Sequence, residues 1–120
     1  MFKFLNLFKK NPVVSLKPSP KRMYVIVRGD LSTEYRMVQG AHALAQLAID
    51  NPDDLLEWKN EYLIFLKVWN YKALVRLFCD FELNGYDVAK FDEPDLNGQL
   101  TAIALYTEID NPLIKDLPLA

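Results

Sequence analysis

Met23-Tyr24-Val25-Ile26-Val27-Arg28, closed by Gly29-Asp30, is an unbroken run of strand formers that ends in a turn. Apolar side chains at both odd and even positions leave no solvated face, so this segment predicts the central strand of a sheet covered on two sides. The next residues predict a helix. Ser32 or Thr33 offers an oxygen to its free N-terminal amides, Glu34 puts a negative charge at its positive end, and Asn51-Pro52 stops it after about Ile49. Within that helix Val38, Ala41, Leu44, Ala45 and Ala48 form the apolar stripe, while Tyr35, Gln39, His42 and Gln46 share another face.

Further along, Asp53 to Trp58 predicts a short helix and Glu61 to Val68 a second strand, again apolar enough for two covered faces. Tyr71 to Leu83 carries Leu74, Leu77, Phe78 and Phe81 at helical spacing and ends at Asn84-Gly85, a left-handed stop. Asp87 to Phe91 predicts a short strand, Asp92 to Gln99 an acidic turn, and Leu100 to Thr107 the last strand. Strands that alternate with helices imply crossover units. The expected fold is therefore α/β, a four-stranded mixed and mainly parallel sheet with helices on both faces. Such sheets present their functional edge at the carboxyl ends of the strands, which here means Gly29 to Thr33.

Size and charge bound the function. A chain of 120 residues, 51% apolar and 25% charged, suits one globular domain. We place that domain at residues 23–120, after a basic, proline-containing arm at 1–22 that is expected to be a flap on the core, a plainly disordered segment, or an anchor for a partner or membrane surface. Residues 1–22 hold six basic and no acidic side chains, so the remaining 98 residues carry a net charge of −8. A body of that sign repels a polyanion, and any nucleic-acid role must rely on a local patch. No apolar run approaches the ~20 residues that span a bilayer. Cys79 is the sole cysteine, expected as a small buried apolar residue, and neither a disulfide nor a zinc cluster is encoded. These features fit the cytoplasm.

Gly-rich phosphate loops, nucleophile elbows and metalloprotease helices are missing from the sequence, so the candidate chemistry rests on two small clusters. His42 lies three residues after Gln39 and seven after Tyr35, on one side of the helix that follows Asp30. A histidine there can exchange protons near neutral pH when a carboxylate fixes its tautomer; the alternative is a histidine satisfied structurally by a nearby carbonyl or carboxylate. The second cluster, Asp92-Glu93-Pro94-Asp95, is expected either to hold a cation or polarise a water with its three carboxylates, or to form a solvated turn unless it folds over His42. Trp58 and Trp69 are expected to serve packing.

Val27-Arg28-Gly29-Asp30-Leu31, Val38-Gln39-Gly40-Ala41-His42-Ala43 and Thr101-Ala102-Ile103-Ala104-Leu105 together resemble type 2 peptidyl-tRNA hydrolases, in the same order and over Met23 to Thr107. The chain also looks like small bacterial and phage proteins of that superfamily, which carry a Glu-Pro-Asp loop before Thr-Ala-Ile-Ala. The resemblance implies hydrolysis of the ester joining a peptide to the terminal ribose of tRNA, without metal or cofactor. It further implies functional positions at Asp30, Gln39, His42 and Thr101, with Asp92 or Asp95 standing in for a family aspartate. Tyr35, Arg28 and Arg36 would contact substrate, Tyr35 replacing a family lysine. Partners within this expectation are peptidyl-tRNA, a protein held through residues 1–22, and a second copy of the chain. The rival expectation is a non-catalytic superfamily member that binds a protein.

Overall fold

The computed structural model describes residues 19–120; of the arm expected at 1–22, residues 1–18 lie outside the described residues. Lys21 and Arg22, read above with the arm, open the first strand. The order is β1 (Lys21–Arg28), α1 (Thr33–Asp50), α2 (Pro52–Trp58), β2 (Leu63–Val68), α3 (Tyr71–Leu83), β3 (Ala89–Glu93) and β4 (Gln99–Glu108). Ser32 caps α1 by accepting from the Tyr35 N–H, and the Asn70 side chain caps α3 through the Ala73 N–H.

The sheet has four strands in the order β2-β1-β4-β3. β1 runs parallel to β2, but both contacts of β4 are antiparallel, so the sheet is mixed and not mainly parallel. The reason lies in one short connection. The helical crossovers do leave β1, β2 and β3 pointing the same way, whereas a 3-10 turn at Pro94–Leu96, followed by left-handed Asn97 and Gly98, reverses the chain too tightly for a crossover. β4 therefore returns antiparallel and inserts between β1 and β3.

β1 is central and buried, and its alternation separates two cores. Met23, Val25 and Val27 pack with Ala43, Leu47, Trp58, Ala102 and Ala104 beneath α1 and α2. Tyr24 and Ile26 pack with Leu74, Leu77, Phe81, Ile103 and Leu105 beneath α3. Helices thus cover both faces. β2 is an edge strand, only partly buried, rather than the doubly covered strand its apolarity suggests. Its free side is met by the chain end, where the Lys67 N–H donates to the Pro118 carbonyl at 3.0 Å and the Ala120 N–H to the Phe65 carbonyl at 3.0 Å. Covering an edge in this way removes a template for unwanted strand pairing.

Three placements differ from the sequence reading. α1 buries Gln39, Gly40, Ala43 and Leu47, and exposes Val38, Ala41, Ala45 and Ala48. Gly40 lies against the Phe65 ring and Val25, and Ala43 packs in the same core as Ala102 and Ala104, so close approach of these small residues outweighs burial of the other alanine stripe. Cys79 is exposed, since α3 turns Leu74, Leu77 and Phe81 inward instead. Trp58 packs as expected and donates its indole N–H to the Tyr62 carbonyl at 2.9 Å, but Trp69, just past β2, is 86% exposed.

Gly85 ends α3 with φ +80°, and nothing lies within 4 Å of where its Cβ would be. Gly85→Ala thus meets no clash and tests the backbone conformation alone. We expect it to lower unfolding stability by about 1 kcal/mol, and Gly85→Asn by less, in urea melts.

Candidate active site at the β4 bulge

A register shift in the β3–β4 pairing builds the polar centre. Phe91 opposes Ala102 while Asp92 opposes Leu100, so Thr101 is an extra residue on β4. Without it, alternation would send Thr101 toward α3. With it, Leu100 joins the α3 core and the Thr101 hydroxyl meets α1, donating to Gln39 Oε1 at 2.5 Å. Gln39 Nε2 in turn donates to Glu93 Oε1 at 2.8 Å, and the Asp95 N–H donates to Glu93 Oε2 at 3.1 Å. Thr101 and Gln39 are buried, at 0% and 1% exposure, so their partners fix which end of the amide faces which group. The Asp95 amide first, then the Gln39 amide and the nearby His42, hold the Glu93 carboxyl below its ordinary value.

His42 lies one turn beyond Gln39 and is exposed, with its ring stacked on Phe91 at 4.2 Å between centroids and 9° between planes. Tyr35 lies one turn before Gln39; partial burial and then the Glu93 and Asp95 charges raise its phenol above the usual range. The sequence-predicted Gln39, His42, Thr101 and Tyr35 are therefore gathered at one place. The carboxylate they gather around is Glu93.

The other expected residues have different work. Asp30 receives a two-pronged contact from Arg28, Nε to Oδ1 at 3.1 Å and Nη2 to Oδ2 at 2.8 Å, which lowers its carboxyl pKa. Arg28 is 7% exposed, also donates to Gln99 Oε1 at 2.9 Å, and lies 5.5 Å from the centre of the Tyr71 ring. Arg36 clamps the β1–α1 loop by donating to the Leu31 carbonyl at 2.8 Å and the Gly29 carbonyl at 3.0 Å. Asp92 pairs with Lys90 at 3.1 Å, and Asp95 contributes its backbone N–H to Glu93. From the sequence Glu93 stands out only as one member of the acidic cluster, with Asp92 and Asp95 preferred, and Phe91 and Gln99 do not stand out as site residues. Alternation along β3 carries the signal for Glu93 and Phe91: Ala89, Phe91 and Glu93 share the α1 side, and Lys90 and Asp92 the other.

Among the described residues no group of three His, Cys, Asp or Glu side chains is arranged to hold a metal ion. No helix among them is long and apolar enough to cross a membrane. Chemically, the arrangement is an exposed imidazole beside an ionised carboxylate that a buried amide and hydroxyl hold in place.

No protein-family model and no curated protein matches the chain. Among solved structures it is similar to a protein of unknown function, Atu0240, from Agrobacterium tumefaciens strain C58, with a TM-score of 0.63 and 12% identity. The likeness covers 83% of this chain and 97% of the other. At that identity the shared property is the fold, an α/β domain with a four-stranded mixed sheet.

Proposed function

We propose that the protein is a peptidyl-tRNA hydrolase-like enzyme that cleaves the ester between a peptide and tRNA, with His42 as general base. The observation that carries this reading is the convergence of Gln39, Thr101 and Glu93 beside the exposed imidazole. His42 takes a proton from water as the water oxygen attacks the ester carbonyl, and returns that proton to the departing ribose oxygen. Glu93 stabilises the transient imidazolium. Gln39 and Thr101 act through Glu93, as positioning residues whose hydrogen bonds are spent on one another. No metal or cofactor enters this scheme, and its setting is the cytoplasm.

The test is release of peptide from diacetyl-lysyl-tRNA by purified protein. We expect His42→Ala to cut turnover about a hundredfold, within the usual range for a lost general base. Wild-type turnover no faster than that of His42→Ala would refute the proposal.

A non-catalytic, protein-binding role is favoured by one observation. Arg28 and Arg36 direct their donors inward, leaving Glu93 and Asp95 to set the charge around Tyr35. That surface repels tRNA phosphates. Retention of one protein partner at high salt, with no tRNA bound at low salt, would select this reading; tight, salt-sensitive tRNA binding would reject it.

A further inference from the structure

A cavity of about 540 Å³ opens where the parallel strands β1 and β2 end, and Gly29, Lys67, Val68, Trp69, Ala73 and Leu117 line it. That volume lies within the range of small-molecule sites, roughly 300–1,000 Å³, and the carboxyl ends of parallel strands are where α/β sheets commonly place them. Its walls are almost wholly apolar, yet Trp69 stands 86% exposed beside it. An indole at the rim of an apolar cavity offers a flat face on which a ring can stack.

Lys67 supplies the second feature. It is half-buried in the wall, and among the described residues no carboxylate lies within 4.0 Å of its ammonium. Arg28 and Asp30 neutralise each other nearby, so Lys67 is the unmatched charge of the cavity. One aromatic wall and one free cation select a ligand with a flat apolar body and a single anionic group. We infer that this cavity binds a small aromatic organic acid, its ring against Trp69 and its anionic group on Lys67. The inference stands apart from the hydrolytic reading, since neither His42 nor Glu93 lines the cavity.

The probe is 1-anilinonaphthalene-8-sulfonate, an aromatic anion, compared with uncharged N-phenyl-1-naphthylamine by titration on the full chain. We expect one saturable sulfonate site per chain. Lys67→Met, which keeps the aliphatic stem, should weaken the sulfonate about tenfold while changing the neutral probe less than about twofold. Trp69→Ala, at an exposed position, should weaken both, and His42→Ala neither. Non-saturating binding, equal loss of both probes in Lys67→Met, or unchanged affinities in either Lys67→Met or Trp69→Ala would overturn the assignment. Near-UV circular dichroism of each variant verifies that the native packing is retained.

Discussion

Gly40→Val is expected to lower stability by about 3 kcal/mol or more, at the upper end of overpacking costs, and to displace Gln39 from its partners. A Cβ at this position would lie 2.4 Å from Phe65 Cε2 and 2.9 Å from Val25 Cγ1. Neither neighbour has an easy way out. Val25 is fully buried in the central strand, and the Phe65 ring packs against the same core. The helix must therefore lift from the sheet, and the residue before Gly40 is the one whose 2.5 Å and 2.8 Å hydrogen bonds assemble the site. Gly40→Ala is the graded comparison: it gains about 1 kcal/mol in helix propensity but meets the same first contact, so it should still destabilise, though less than valine. Chemical denaturation measures both. A Gly40→Val protein as stable as wild type would show that α1 does not need this close approach.

That close approach also explains what the sequence revealed and what it hid. The central strand, the Ser32 cap, the bounds of α3 and the two-sided cover follow from local signals: an apolar run, a capping oxygen, three-and-four spacing, an Asn-Gly stop. Strand pairing was less legible because it depends on where β4 inserts, a decision made between distant segments. On α1, two stripes rich in small apolar residues compete, and only the sheet opposite, with Val25 and Phe65 against Gly40, decides between them. Gln39, His42 and Thr101 were legible as functional candidates, but not the geometry joining them. Thr101 faces Gln39 through a β4 bulge that strict alternation cannot anticipate. Glu93 is a different case. Ending β3 at Phe91 assigned the following carboxylates to a loop, where facing has no rule; extending the strand two residues puts Glu93 beneath α1 by alternation alone.

The largest electrostatic effect is expected from Gln39→Glu, which replaces the amide donor to Glu93 with a second carboxyl group at a 1% exposed position. A carboxylate there would be buried against like charge, a change on the order of 3–5 kcal/mol at neutral pH. The pair escapes by keeping a proton on folding. Its folded pKa is then raised above the unfolded value, so the native state binds more protons than the unfolded state and stability falls as pH rises through that window. Wild type has the reverse sign. The Glu93 pKa is lowered on folding, so its contribution is present above the ordinary carboxylate range and is lost as pH falls through the folded value. Thermal or urea unfolding between about pH 4 and pH 8 should therefore give Gln39→Glu a stability that declines toward neutrality, by up to tenfold in the folding constant per pH unit for each proton retained. Gln39→Leu separates charge from hydrogen bonding. It takes away the closer acceptor of the Thr101 hydroxyl, leaving the Phe91 carbonyl at 3.3 Å, and removes one donor from Glu93, yet introduces no new titrating group, so it should be destabilised without that decline. Identical pH profiles for the glutamate and leucine variants would mean that Glu93 does not sense position 39, and the relay holding it beside His42 would have to be abandoned.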